Sequence, residues 1–413
     1  MKKFGQNNFV VMIVNPDCPP IRVSPKKGFN MKQLILNTEL YKFQTCKEFA
    51  EEFKLNDTDL ILTNEYIYEP YFKDLKLPVK TVFQEKFGAG EPTDIMVDAI
   101  IKEASKYNYK RIIAIGGGTV IDIAKVLSVT NGESVDELYD KDNLTAHHEL
   151  VIIPTTCGTG SEVTNIAIIN RTRLGVKMGL TSPAMYAPKA VLIPELLKTL
   201  PFKVFATSSI DALVHAVESS LSPKATPYSK LFGYKAIEMI ITSYQKLVKD
   251  GKDTLPNLMD TFLTASNFAG IAFGTAGCAA VHALSYPLGG KYHVPHGESN
   301  YAVFTGVLKN YMEIKTDGEI AIMNEFLAKL LHCDVKSVYD ELEHLLNSVL
   351  NKKPLHEYGV TSQDIEEFTD SVMTTQGRLM ANNFVPLDRQ RVLKIYKELL
   401  WAYLKQEWWL VLV

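Results

Sequence analysis

The sequence predicts an N-terminal α/β domain, a parallel sheet with helices on both faces, followed by an all-helical C-terminal domain. Three observations carry that expectation. Short apolar runs alternate with segments of helical spacing up to about residue 200, the pattern of strand–helix–strand units. Two glycine-rich loops follow consecutive apolar runs, one around Gly116 to Gly118 and one from Pro154 to Glu162. After Leu200-Pro201 nearly every segment to residue 400 has helical spacing, interrupted by Pro223, Pro256, Pro287, Pro295, Pro354 and Pro386. At 413 residues the chain exceeds one ordinary core, so two domains suit its length.

The elements follow in order. Asp59-Leu-Ile-Leu-Thr63 reads as a buried strand and Thr81-Val-Phe83 as a shorter one. Thr93 to Tyr107 has helical periodicity, with Pro92 and Thr93 as start signals. Arg111-Ile-Ile-Ala-Ile115 is a strand running into Gly116-Gly-Gly118, then a helix from Thr119 to Ser128, then the strand Leu150-Val-Ile-Ile153. Val163 to Ile169 alternates in polarity, Ala190 to Ile193 is another buried run, and the helical domain starts near residue 201.

Composition removes several function classes. The formal net charge is −3, with no basic stripe and no acidic tail, which argues against a nucleic-acid partner. Five scattered cysteines without a CxxC pair suit a reduced cytoplasm rather than a disulfide framework or a zinc finger. No apolar run is long enough to span a bilayer, and the Phe9–Val14 stretch followed by Asp17-Cys-Pro-Pro20 does not have a signal-peptide layout. The last thirteen residues hold all three tryptophans and end in Trp408-Trp-Leu-Val-Leu-Val413, an apolar tail.

The loops and one histidine cluster carry the chemistry. Gly116-Gly-Gly118-Thr119 lies where a strand ends and a helix begins, so backbone and helix N-terminus can approach a phosphate. The same triplet also suits a tight strand-to-helix turn at positive φ. The second loop, Pro154-Thr-Thr-Cys-Gly-Thr-Gly-Ser-Glu162, favours the ligand reading, because paired loops at strand C-termini mark the crevice of an open α/β sheet. Together they point to a nucleotide with a pyrophosphate. Downstream, Asp211 and His215 are one helical turn apart and share a face. His282 and His296 are separated by a span broken by Pro287 and two glycines, which lets both turn toward one point. One carboxylate and three imidazoles suit iron or zinc, in a catalytic centre that no thiolate joins. His147, His148, His332, His344 and His356 lie in polar or mixed stretches and receive no role.

Gly116-Gly-Gly-Thr-Val-Ile-Asp122-Ile-Ala-Lys125, the 154–162 loop, Asp211-Ala-Leu-Val-His215 and His282 to Gly297 resemble, in that order, motifs of the iron-containing (group III) alcohol dehydrogenases. The resemblance covers roughly residues 31–400. It sets residues 1–30 apart as an extension, with Met31 as the natural start, and residues 401–413 as a tail. It implies a Rossmann-like dinucleotide-binding domain over 31–200 and a helical metal-binding domain over 201–400. By motif, Gly116, Gly117, Gly118 and Thr119 would hold the pyrophosphate, with Asp122 at the head of the helix. Thr155, Thr156, Thr159 and Ser161 would contact cofactor phosphates, ribose or nicotinamide, with Lys177 beside them. Asp211, His215, His282 and His296 would ligate Fe(II), with Zn(II) as the alternative metal.

The phrase from His282 to Glu298 and Asn64-Glu-Tyr-Ile-Tyr-Glu-Pro70 look most like the branch acting on 4-hydroxybutyrate. The implied reaction is reversible hydride transfer between a nicotinamide cofactor and 4-hydroxybutyrate or succinate semialdehyde. A general primary alcohol or diol dehydrogenase is the alternative within the family, and a non-redox NAD-using lyase resembling dehydroquinate synthase the alternative outside it. Two positions depart from the family pattern. A histidine often given a proton-transfer role is here Tyr286, a weaker base at a reference pKa near ~10, with His293 as a substitute. An aspartate that disfavours NADP is here Asn64, followed by Glu65; NAD is expected, with NADP as the alternative. Lys291, His293 and Arg378 are candidate partners for a substrate carboxylate, and the family implies a cytoplasmic homo-oligomer.

Overall fold

The computed structural model describes residues 32–401. Eight strands form two sheets. They are β1 (Glu39–Lys42), β2 (Asp59–Thr63), β3 (Lys80–Phe83), β4 (Arg111–Gly116), β5 (Glu149–Pro154), β6 (Ile166–Arg171), β7 (Val176–Thr181) and β8 (Lys189–Leu192). Six of them make one sheet in the order β1-β8-β5-β4-β2-β3, and every pairing in it is parallel. β6 and β7 pair antiparallel as a separate ribbon. The chain runs outward from β2 to β3, then returns to the other side of β2 for β4. The direction of winding therefore reverses between β2 and β4, the position at which open α/β sheets form a ligand crevice.

The central strands are apolar on both faces because both faces are covered. Leu60, Leu62, Ile112, Ala114, Leu150 and Ile152 pack with the helices Asp94–Ala104 and Gly118–Val129. Their sequence neighbours Ile61, Ile113, Ile115, Val151 and Ile153 point the opposite way, into a core that continues through the helical part of the chain. The sheet and the helical region thus share apolar packing, which fixes the loops at the strand ends against the helices that carry the metal-type residues.

Local signals set the boundaries. Thr93 caps the Asp94–Ala104 helix by accepting from the Met96 N–H, a contact worth about 1 kcal/mol. From Phe202 onward the longer elements are all helices, led by Phe202–Leu221, Pro227–Asp250, Leu255–Ala276, Ala280–Tyr292 and His296–Ile314. Pro287 does not break its helix as its residue type suggested: Ala280–Tyr292 runs through it and through both glycines. The turn toward His296 comes later, at His293 with φ 55° and at Pro295, which precedes the next helix. Among the described residues no single helix is long and apolar enough to cross a membrane; one pair of helices, bent by 106° between Ala276 and Ala280, has the composition but lies in the core.

Candidate metal and dinucleotide site

Asp211 and His215 project from the Phe202–Leu221 helix, His282 from Ala280–Tyr292, and His296 opens the helix that follows. Asp211 Oδ1 lies 3.7 Å from Nε2 of His282 and 3.7 Å from Nε2 of His296. One ligand atom from each of the three falls within 4.8 Å of the others, close enough for one ion to bridge them. Asn300, one turn along from His296, puts Nδ2 at their meeting point. It donates to Asp211 Oδ1 at 2.7 Å and lies 3.3 Å from His282 Nε2 and 3.2 Å from His296 Nε2, while its buried Oδ1 has no partner among the described residues. A positive N–H edge there, facing one carboxylate and two lone pairs, stands where a cation would. The donor set fits a divalent metal.

Glu218 orients this set. Its carboxylate accepts from the backbone N–H groups of Ala279 and Val281 at 3.0 and 2.6 Å and meets His282 Nδ1 at 2.6 Å. The helix carrying His282 is thus capped and the imidazole held with Nε2 toward Asp211, the arrangement that fixes a metal-binding tautomer. Burial pushes His296 down to about 4, despite Asp211 beside it, so that imidazole is neutral and ready to coordinate at pH 7. Spacing alone did not reveal Glu218 or Asn300, since each acts through a contact between separate helices.

His215 lies against Asp211 and His282. Its ring stacks between Phe273 at 4.3 Å and His282 at 4.6 Å, and its Nδ1 engages the Gly158 carbonyl at 3.2 Å. Nδ1 is also 3.9 Å from Asp211 Oδ2, which puts His215 beside the three converging donors. A cysteine that spacing did not bring to notice also lies nearby. Buried Cys278 stands with His215 and His282 in a second group whose ligand atoms lie within 4.8 Å of one another. Burial alone would raise this thiol, but His282 and His215 outweigh it and bring it down to about 7.

On the cofactor side, β4 ends at Gly116 and the Gly118–Val129 helix begins two residues later. None of Gly116, Gly117 and Gly118 has positive φ, so the tight-turn explanation fails and close approach replaces it. A methyl group at Gly116 would meet Val120 Cβ at 2.5 Å, and one at Gly118 would meet Thr159 Cγ2 at 2.9 Å. The glycines let the two loops close on each other, leaving Thr156 and Thr159 half-buried beside the helix N-terminus. Thr119 donates its hydroxyl to Gly90 O at 2.9 Å, and Thr155 is buried with its N–H on Gly116 O.

Asp122 and Ser161, expected at the cofactor, take part in an internal hydrogen-bond network. Ser161 Oγ donates to Asp122 Oδ1 at 2.8 Å and accepts from Lys125 Nζ at 2.6 Å, while Ile168 N–H donates to Asp122 Oδ2. Lys125 Nζ also donates to Thr164 Oγ1 and Ile166 O, so this buried cation ties the glycine-loop helix to the second loop and to β6. Burial pushes Lys125 down to about 8, with Asp122 opposing. Between that value and the ordinary 10.5 the unfolded chain holds the proton and the folded chain does not, so stability rises with pH across this window. Denaturant melts at its two ends should show the wild type gaining on Lys125→Met as pH rises; a constant gap would remove Lys125 as a buried titrating group.

Lys177, Glu91 and Tyr286 lie together beside His296. Lys177 Nζ pairs with Glu91 at 2.8 Å and lies over the Tyr286 ring at 4.9 Å, and that ring is 6.0 Å from His296. Lys177 therefore bridges the β6–β7 ribbon to the helical part. Burial raises the Tyr286 phenol far above its ordinary value. His293 is an exposed C-cap in the left-handed conformation and is not brought to the cluster. Lys291 is held by Asp364 and Glu367, so it is not free for a substrate carboxylate. Arg378 is exposed, has no ion pair among the described residues, and its charge reaches Tyr286. Cys157 is buried in its loop, its thiol pushed up to about 12 by burial.

A crevice with glycine loops at the sheet's reversal point, facing a buried carboxylate–imidazole cluster, defines a metal-type dinucleotide dehydrogenase. Residues 40–194 match the iron-containing alcohol dehydrogenases, and residues 205–400 match the C-terminal domain of the same family. The chain is 48% identical over 370 residues to the 4-hydroxybutyrate dehydrogenase of Clostridium kluyveri, covering 89% of this chain and 100% of that one. It is 33% identical over 340 residues to long-chain-alcohol dehydrogenase 1 of Geobacillus thermodenitrificans, covering 76% of this chain and 82% of that one. Among solved structures, sulfoacetaldehyde reductase from Bifidobacterium kashiwanohense in complex with NAD+ superposes with TM-score 0.78 at 22% identity, covering 90% and 99% of the two chains. The chain belongs to the iron-containing alcohol dehydrogenase family and is an alcohol dehydrogenase.

Proposed function

We propose that the protein interconverts 4-hydroxybutyrate and succinate semialdehyde with NAD, using Fe(II) held by Asp211, His282 and His296, with His215 alongside. The observation that carries the substrate is the match to the Clostridium kluyveri enzyme over its whole length. Arg378, exposed, without an ion pair among the described residues and with its charge felt at Tyr286, is the candidate partner for the substrate carboxylate. NAD is favoured over NADP by the groups after β2. There Asn64 Nδ2 is bound by Gln84 and Glu85, and the Glu85 carboxylate would repel an added 2′-phosphate.

When bound, the metal supplies Lewis acidity to the substrate oxygen and the nicotinamide exchanges the hydride. Asp211 contributes the one negative charge of the converging donor set, and Glu218 keeps His282 in the binding tautomer. The N-terminus of the Gly118–Val129 helix and the hydroxyls of Thr156 and Thr159 receive the cofactor's phosphates. Lys177, held by Glu91 over Tyr286, closes the wall between the two binding regions. Tyr286, its ring 6.0 Å from His296, is placed to meet the substrate oxygen with its hydroxyl.

The test compares succinate semialdehyde with butyraldehyde, which lacks the carboxylate, in NADH oxidation by the Fe(II)-loaded protein. A strong preference for the semialdehyde is expected, and an equal or reversed preference moves the assignment to a general alcohol or diol dehydrogenase. Arg378→Ala should raise KM for the semialdehyde by about tenfold or more, the worth of one charge-assisted hydrogen bond. KM for butyraldehyde should not change; an equal rise for both aldehydes would show that Arg378 does not read the carboxylate.

A further inference from the structure

The segment between β3 and the Asp94–Ala104 helix holds a carboxylate in a fixed place. Gln84 Nε2 donates to Gly88 O at 2.9 Å, Thr119 Oγ1 to Gly90 O at 2.9 Å, and the Asn170 N–H to Pro92 O at 2.8 Å. Gly90 turns at φ 82° with nothing within 4 Å of an added Cβ, so conformation rather than space asks for glycine there. Glu91 follows. Its Oε1 accepts from Lys177 Nζ at 2.8 Å, its Oε2 has no hydrogen bond among the described residues, and its side chain is half-exposed. Lys177 lies over the Tyr286 ring, which is 6.0 Å from that of His296, and the charges of His296 and Asp211 are felt at Glu91. The segment therefore runs from Thr119, at the helix N-terminus suited to phosphates, toward the metal-type residues. The reactive end of a dinucleotide has to lie beside those residues for hydride transfer.

We propose that Glu91 determines specificity for the redox state of the cofactor: it cancels the Lys177 charge beside the nicotinamide, so that the oxidised, positively charged ring is not repelled. The proposal rests on the dinucleotide reading above. NAD+ and NADH share adenine, riboses and phosphates and differ by one hydride, which takes the ring from positive to neutral. Contacts common to both therefore cancel in the ratio of their affinities, and what remains is the field at the ring. Without the carboxylate, Lys177 is an unopposed ammonium that disfavours only the oxidised ring. Without the ammonium, the carboxylate favours it. One charge at short range and partial exposure changes an affinity by about tenfold.

The test is calorimetric titration of the Fe(II)-loaded full-length protein with NAD+ and with NADH, without alcohol or aldehyde, so that binding is read and not turnover. Glu91→Gln should raise the ratio of the NAD+ to the NADH dissociation constant about tenfold over the wild type, and Lys177→Met should lower it. The double variant should return the ratio to near its wild-type value, even where both cofactors bind more weakly. A merely structural role for the pair would weaken both cofactors alike and leave the ratio where it was. A ratio unchanged in the single variants overturns the proposal and leaves the cofactor site standing; Lys177→Met decides alone if Glu91→Gln does not fold. A wild type that binds neither dinucleotide overturns the cofactor reading itself, so the two failures are distinguishable.

Discussion

Asp211→Ala is expected to fold, to bind iron poorly, and to turn over at roughly a thousandth of the wild-type rate, since the Lewis acid is worth several kcal/mol and each 1.4 kcal/mol is tenfold. The reasoning is electrostatic. Asp211 is the only carboxylate in the group formed with His282 and His296, and it is 3% exposed, so the cation's charge has no other close counter-charge within that set. Burial alone would raise its carboxyl, yet His215, His296 and His282 hold it below the ordinary value. Removing it also takes from Asn300 Nδ2 its 2.7 Å acceptor and leaves that amide against two imidazoles. The measurement is iron per chain together with kcat/KM for succinate semialdehyde. Wild-type iron content in the variant would sink the ligand assignment, whatever the rate.

Much of the sheet was legible because of how it is buried. β2, β4 and β5 are covered on both faces and so read as continuous apolar runs, each ending at a glycine, asparagine or proline–threonine turn. β1 escaped notice because it is a four-residue edge strand whose side chains are mostly exposed. The same contrast holds at the site. Asp211 and His215 announce themselves by one-turn spacing, and His282 and His296 by their shared surroundings. Glu218, Asn300 and Cys278 do not, because their meaning depends on which helices cross near them. Lys291 shows the reverse error: its charge was visible, while Asp364 and Glu367, which occupy it from another helix, were not. Pro287 misled for a local reason, since a proline inside a packed helix costs a hydrogen bond without ending the helix when the neighbours hold it.

Gly297→Ala should be the most damaging single methyl group in the helical region, although it removes no functional atom. Gly297 is the second residue of the His296–Ile314 helix, and a Cβ placed there lies 1.9 Å from Thr207 O and 3.3 Å from Asp211 Cβ. Thr207 O belongs to the backbone of the Phe202–Leu221 helix, so no side-chain rotation relieves the overlap; the two helices must separate. Forced overpacking of this kind costs about 3 kcal/mol, at the upper end of the usual range. The separation also pulls His296, the adjoining residue, away from Asp211, whose Oδ1 now stands 3.7 Å from its Nε2. Stability and metal affinity should therefore fall together, which a melt and an iron titration on the same sample would show. Gly290→Ala is the control: it lies inside a helix with nothing within 4 Å of its added methyl group, and there alanine should be neutral or stabilise by about 0.5–1 kcal/mol. If Gly297→Ala kept both wild-type Tm and wild-type iron affinity while Gly290→Ala behaved as expected, the close crossing of these two helices would not be what holds Asp211 and His296 in register.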